Sequence, residues 1–517
     1  MSTEPFHRVL WVVLDGFGHE HAKRAIQSGT CPALAQIARE GHLGPARPAR
    51  PVCQTPPALL ALFTGTEPAQ NGVWGYYMPD PSQPERSMSG FHADVSRAPA
   101  IWRVMEDRGL GYSLMNVAFR NDAVWRGPNQ SMVLGFDGYR LWQKPALYRL
   151  GRGVQHIEYR GIRLRATASP MSVALHKGSS LQAVLRPGEG RLVTFTPGTL
   201  SFAHLVEPRT LFLNPVTPAV CRGSDAGEAA RDGFLEMSAF RAVRGLNASR
   251  AAEALVPVSA EILPAQASFQ RKAHLMLQQA SNPSARLVVG YFSLIDEFNH
   301  AYFDLFESAW PDGRAAELFT ACVRIVDDLL GSLMQGMSED TLLVVSSDHG
   351  AMAQRSMLHL NEIFAAAGLT RKDEGGYDFR RSALWYHPSD CGQVICRDPE
   401  RRAESMAALR RVIDAVNKDL SAGIGIEEGS AGAPYLAFLY PRGDMYFTGR
   451  AGRRSELMPV RKKTGGHHLS PLSPTPWIDA VLGLWSRRLG TGTRAGQAAP
   501  SENTAVKKFI LQSMEIT

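Results

Sequence analysis

Residues 341–350 read Thr341-Leu-Leu-Val-Val-Ser-Ser-Asp348-His349-Gly350, a β-branched, apolar run that stops at a carboxylate and an imidazole. Two more stretches have the same form. Val9-Leu-Trp-Val-Val-Leu14 runs into Asp15, and Leu287-Val-Val-Gly-Tyr-Phe-Ser-Leu-Ile295 runs into Asp296. Runs that are apolar at nearly every position suit strands covered on both faces, as in a parallel sheet. Helical spacing lies between them, at Ile101–Arg108 and from Ala315 to Met337, where Leu318, Cys322, Ile325, Leu329 and Leu333 share a face. A further strand-like run, Tyr112 to Phe119, follows Gly109. The alternation predicts an α/β fold with a doubly wound, mostly parallel sheet flanked by helices. Ligands of such sheets gather beyond the carboxyl ends of the strands, so Asp15, Asp296 and Asp348 are expected to meet in one crevice.

Elsewhere the pattern changes. Short strand-like pieces at Tyr159–Ala166, Arg191–Thr196 and Thr210–Asn214 alternate with Gly, Pro and Ser clusters, which predicts a mostly β cap over residues 140–270. The expected organisation is a catalytic core from 1–139 and 271–370, a smaller α+β insertion at 371–460 and a last core segment at 461–489. Residues 490–517 read as a Gly/Ala/Thr/Pro-rich linker and a short terminal helix.

The chain has 517 residues, 44% hydrophobic and 20% charged, with 47 Gly and 33 Pro. That composition is globular and excludes a disordered, collagenous or coiled-coil chain. A net charge of +7 over this length, in scattered clusters, is a weak pull on polyanions; it fits a small anionic substrate, and nucleic acid is not the expected partner. The six cysteines, Cys31, Cys53, Cys221, Cys322, Cys391 and Cys396, form no CxxC pair and suit a reducing compartment. No stretch approaches the ~18 apolar residues of a membrane span. The expectation is a soluble, cytoplasmic protein, with its oligomeric state left open.

Four motifs carry possible chemistry. Asp348-His349 at a strand end can offer two ligands to one cation, although such a pair alone is ordinarily structural. Asp296 and His300, four apart, share one face of a helix or tight turn, a common local source of two ligands. Thr55, followed by Pro56, Pro57 and an apolar helix, sits where a helix N-terminus attracts an anion; an N-cap is the plainer reading. Thr464-Gly-Gly-His467-His468 permits close backbone approach and can complete a coordination shell.

In this order the motifs resemble the alkaline phosphatase superfamily, and within it the type I phosphodiesterase/nucleotide pyrophosphatase branch. The matching residues are Leu14-Asp15-Gly16, Thr55 nine positions before Thr64-Gly65, Asp296 with His300, Asp348-His349-Gly350 and Gly465-x-His467. The resemblance spans about residues 8–130 and 285–370 and the patch at 464–468. It implies two divalent ions, zinc first and manganese or iron as alternatives. One ion would be held by Asp15, Asp348, His349 and the Thr55 oxygen, the other by Asp296, His300 and His467. It further implies that Thr55 is the nucleophile and that turnover passes through a phosphothreonine.

The sequence also departs from that pattern. Ala58 stands where the family usually has Asn, and the tract Asn71-Gly72-Val-Trp-Gly-Tyr76 ends in Tyr76 where the family places an Asn donor. Asn71 and Tyr76 are therefore weaker candidates for substrate contact. His468 replaces the glycine that normally follows the last ligand, so it competes with His467. The Cys-x-Pro-x-Arg setting of sulfatases is absent at Cys53-Gln-Thr-Pro-Pro. The expected function is a two-metal phosphodiesterase acting on a small organic phosphodiester or nucleotide. Its alternatives are a phosphonate hydrolase, a phosphoryl transferase or phosphomonoesterase of the same superfamily, and a non-catalytic ligand binder.

Overall fold

The structure is a computed structural model. It describes residues 4–119 apart from 81 and 92–95; 130–135; 146–218 apart from 160, 197 and 198; 222–223; 235–236; 258–449 apart from 375, 388–391, 430–432, 434 and 443; 458–459; 470–489; and 499–516.

Eight strands form the central sheet: β1 (Arg8–Leu14), β2 (His42–Ala46), β3 (Gly111–Val117), β4 (Gln130–Gly135), β5 (Arg222–Gly223), β6 (Ala285–Phe292), β7 (Thr341–Ser346) and β8 (Ala480–Trp485). Their order is β5-β4-β3-β6-β1-β7-β8-β2. The run β4-β3-β6-β1-β7 is parallel, and β8 is antiparallel to both its neighbours. Val9 pairs with Leu287 on one side and Leu342 on the other, so β6, β1 and β7 end level with one another.

Alternation along β1 explains the layers. Leu10, Val12 and Leu14 face one core, and Val9, Trp11 and Val13 face another. The first face carries α1 (His19–Gln27), α2 (Pro32–Glu40), α5 (Val258–Ser281), α6 (Leu294–Ala309) and α7 (Gly313–Gly336). The second carries α3 (Thr55–Thr64), α4 (Ile101–Asp107) and α9 (Asn503–Ser513). All ten residues of α3 are buried. A helix apolar on every side belongs inside a core, and Leu59, Leu60, Leu62 and Phe63 each contribute about 1.5–3 kcal/mol through burial.

One strand ends earlier than its apolar run implies. The strand expected over Leu287–Ile295 stops at Phe292; Ser293 turns the chain, and Leu294 and Ile295 open α6. Both residues still face the first core, which is why the run continues. Unbroken apolar sequence does not separate a buried strand from the buried first turn of a helix.

Between β4 and α5 the chain adds two antiparallel sheets. One is built from Gly153–Tyr159, Ile162–Ala168, Val173–Lys177 and Ser180–Leu185; the other centres on Gly190–Thr196, Thr199–Glu207 and Thr210–Pro218. They share their own core around Leu164, Leu175, Leu205 and Leu213. The boundary expected at 270 falls inside α5, whose Ile262, Ala265 and Phe269 belong to the first core of the main sheet. A further core joins strands Leu384–Tyr386, Gln393–Cys396, Ile424–Glu428 and Ala437–Pro441 to α8 (Arg402–Leu420). Among the described residues no helix is long and apolar enough to cross a membrane.

Candidate metal centre

The turn after β1 brings the three aspartates together. Asp15 is 1% exposed and Asp348 is fully buried. Gly16 follows Asp15 at φ +66, a conformation that glycine adopts freely. A Cβ at Gly16 would lie 2.8 Å from Asp296 Cα, so the close approach of β1 to α6 requires glycine there. The Asp296 amide then donates to Asp15 O at 3.1 Å.

Each carboxylate is held from behind. Tyr291, one strand over, donates its hydroxyl to Asp15 Oδ2. Asp348 Oδ1 accepts from the Gly16 amide at 3.1 Å and the His349 amide at 2.9 Å. His349 Nδ1 lies 2.8 Å from Gly350 O, so it donates there and leaves the Nε2 lone pair facing the carboxylates. That Nε2 is 3.4 Å from both Asp15 Oδ1 and Asp348 Oδ2. Thr55 Oγ1 completes the group, 3.3 Å from His349 Nε2 and 3.5 Å from Asp15 Oδ1. Asp296 and His300 occupy successive turns of α6, with His300 Nε2 3.2 Å from Asp296 Oδ2. Their side chains are 14% and 21% exposed, against 2% or less for the Asp15, Asp348 and His349 side chains, so α6 lines the open side.

Such a cluster repels itself. Burial raises the Asp15 carboxyl well above the usual carboxylate range, and Asp348 and Asp296 push it further. Burial, followed by Asp296, pushes Asp348 up to about 8. Among the described residues nothing hydrogen-bonds Asp348 Oδ2. One candidate ligand atom from each of Asp15, Asp348 and His349 lies within 4.8 Å of the others. A buried carboxylate oxygen without a hydrogen-bond partner, Asp348 Oδ2, beside a second buried carboxylate and a correctly oriented imidazole and with no thiolate, fits a divalent cation.

Six of the seven expected ligands are thus placed: Asp15, Thr55, Asp348 and His349 converge, and Asp296 with His300 adjoin them. His467 and His468 lie outside the described residues. The helix N-terminus offers an anion less than expected. Prolines 56 and 57 have no N–H, and the Ala58 amide donates to Gln54 O, which leaves the Thr55 amide alone. Asn71 is turned inward: its Nδ2 donates to Thr66 O and its Oδ1 accepts from the Val73 amide, both at 2.9 Å. Tyr76 remains half-buried beside the site, its amide bonded to Gln54 Oε1 at 3.0 Å and its ring edge-on to Phe91.

Two supports carried no sequence signal. Tyr291 lay hidden inside an apolar run. His21, rather than the nearer His19, ties the loop to α6: the Gly18 amide donates to its Nδ1, its Nε2 donates to Asn299 Oδ1, and Asn299 Nδ2 donates to Gly16 O. Burial among Phe303, Phe306, Phe319 and Trp477 pushes the His21 ring down to about 3, so it is neutral and keeps that polarity.

The chain matches the family described as type I phosphodiesterase / nucleotide pyrophosphatase over residues 9–141 and 221–436. The gap between those ranges takes in the strands from Gly153 to Pro218 that make up most of the two added β sheets. Phosphonoacetate hydrolase from Sinorhizobium meliloti 1021, solved with phosphonoformate, is similar at TM-score 0.53 and 15% identity, with 99% of this chain and 96% of that one covered. Murine ectonucleotide pyrophosphatase / phosphodiesterase 5 gives 0.51 and 12%, covering 99% and 95%. At these identities the likeness is one of fold. No curated protein matches.

Proposed function

The chain belongs to the type I phosphodiesterase / nucleotide pyrophosphatase family, and from that premise we propose that it hydrolyses a small organic phosphodiester through Thr55. Family membership supports a phosphoryl hydrolase; the substrate class and the nucleophile are the proposal. The observation that carries it is Thr55 Oγ1, set on the first turn of a fully buried helix and aimed at Asp15 and His349. Asp15, Thr55, Asp348 and His349 would hold one divalent ion, and Asp296, His300 and His467 a second. When bound, such ions supply the charge that acidifies a hydroxyl or water and neutralises phosphoryl oxygens.

The chain's own residues do the rest. The rigid helix holds Thr55 Oγ1 in place, 3.3 Å from His349 Nε2 and 3.5 Å from Oδ1 of Asp15, the carboxylate that Tyr291 holds from behind. Thr55 Oγ1 gives up its proton and bonds to phosphorus as the ester oxygen departs with the bonding pair, takes up a proton and leaves as an alcohol. Water then attacks the phosphothreonine, the P–O bond to Thr55 breaks, and a monoester leaves with the hydroxyl restored. The Asp296–His300 face, the least buried part of the site, is where the departing group and the water have room.

Phosphonate cleavage is the second reading. It is favoured by Tyr76 in place of an asparagine donor and by the Asn71 amide being committed to backbone. We expect Thr55→Ala to lower turnover of bis(p-nitrophenyl) phosphate by ~10³-fold or more while divalent-metal content stays near wild type. Near-normal turnover in that variant would remove Thr55 from the chemistry. Faster release of phosphate from phosphonoacetate than of nitrophenol from the diester would favour the phosphonate reading.

A further inference from the structure

We propose that the C-terminal helix α9 is a working part of the cation site, with Asn503 as a positioning residue for the Asp348–His349 turn. The inference rests on the reading that this site binds a divalent cation. Asn503 is fully buried, and its Nδ2 donates to Ser347 O at 3.1 Å and Asp348 O at 2.8 Å. The second bond matters more. Asp348 O belongs to the peptide whose N–H, that of His349, donates to Asp348 Oδ1. One peptide plane is therefore pinned at its oxygen by α9 and at its nitrogen by the Asp348 carboxylate. Its orientation sets where both Asp348 and His349 point.

The same helix holds the nucleophile's element. Lys507 Nζ donates to Thr64 O at the C-terminal end of α3 and to Pro99 O. Val506, Phe509 and Ile510 share a core with Leu59, Leu60 and Phe63 of α3. Upstream, the Asn503 amide donates to Arg47 O and the Arg47 amide to Ser501 O, which fixes the start of α9. Helix α9 thus bridges the turn that carries two expected ligands and the helix that carries Thr55. Groups that stabilise the same local arrangement stabilise each other's binding, so docking of α9 and occupation of the site are coupled in both directions.

The test uses the full chain stripped of metal by chelator, with Zn²⁺ affinity measured by competition against a fluorescent chelator. Asn503→Leu keeps the volume and removes both donors; Asn503→Ser serves if that variant does not fold. Val506→Ala is the control, because it trims the buried face of α9 while leaving the helix docked and the turn untouched. Loss of an outer-shell partner ordinarily costs ~10–100-fold in metal affinity, and we expect that loss in Asn503→Leu, against less than ~3-fold in Val506→Ala. In the wild type, Zn²⁺ should slow amide exchange in peptides spanning 503–513. Wild-type affinity in Asn503→Leu, an equal loss in Val506→Ala, or exchange in 503–513 indifferent to Zn²⁺ would overturn the proposal. A wild type that binds no divalent ion would overturn the cation reading and this one with it. A wild type that binds the ion but cleaves no diester would sink the activity alone.

Discussion

At the scale of single residues, the site is a set of buried charges arranged against their own stability. The Asp348 carboxyl, pushed up to about 8 by burial and then by Asp296, holds its proton in the folded chain long after the unfolded chain has released it. A raised carboxyl confers stability that is full below the unfolded value of 3.8 and is lost as the pH climbs through the folded value. Metal-free wild type should therefore melt lower at pH 8 than metal-free Asp348→Asn, by a few degrees, and the gap should shrink towards pH 5. Thermal melts of both proteins across that range check it; a gap independent of pH would contradict the assignment. Added Zn²⁺ should reverse the order at pH 8, because only the wild type keeps its ligand. Asp15, Thr55, Asp348 and His349 were legible in sequence because each stands in a short local pattern. Tyr291, His21, Asn299 and Asn503 were not, since their role is a contact across the fold and their surroundings in sequence are those of ordinary core residues.

At the scale of elements, the decisive feature is the turn from β1 into α1, where Gly16 lets the backbone meet α6. Gly16→Ala meets two obstacles at once. Its φ of +66 disfavours a side chain, by about 1–3 kcal/mol, and the new Cβ would sit 2.8 Å from the Asp296 Cα, a backbone atom that cannot swing aside. We expect a lower Tm together with weakened Zn²⁺ binding, since α6 carries Asp296 and His300. Unchanged metal affinity in a destabilised Gly16→Ala protein would show that the approach of β1 to α6 serves the fold alone. The strands were readable from their apolar runs, but the β6–α6 junction was not. Leu294 and Ile295 are buried in the same core as the strand before them, so the junction at Ser293 has no polar marker. The two prolines that strip amides from the start of α3 were in plain view in the sequence, and they limit what that helix end can do for an anion.

At the scale of the whole molecule, a two-faced α/β sheet supplies the candidate cation site, and the added modules carry cores of their own. The alternation of runs and helices was enough to predict the sheet, because strands buried on both faces are apolar at nearly every position. The β-rich insertion was visible as turn-separated short strands, yet nothing in it names a ligand, and the family match is interrupted across it. The C-terminal segment read as a linker and short helix; the structure docks that helix, Asn503–Ser513, against α3 and the Asp348 turn, a placement that composition does not record. The proposed chemistry turns on attack of Thr55 on phosphorus. Acid-quenched turnover of bis(p-nitrophenyl) phosphate, followed by peptide mass spectrometry, addresses it most directly. A nitrophenyl-phosphoryl group is expected on Thr55 of the wild type and not in Thr55→Ala. Full turnover with Thr55 never modified, and with Thr55→Ala equally active, would contradict it.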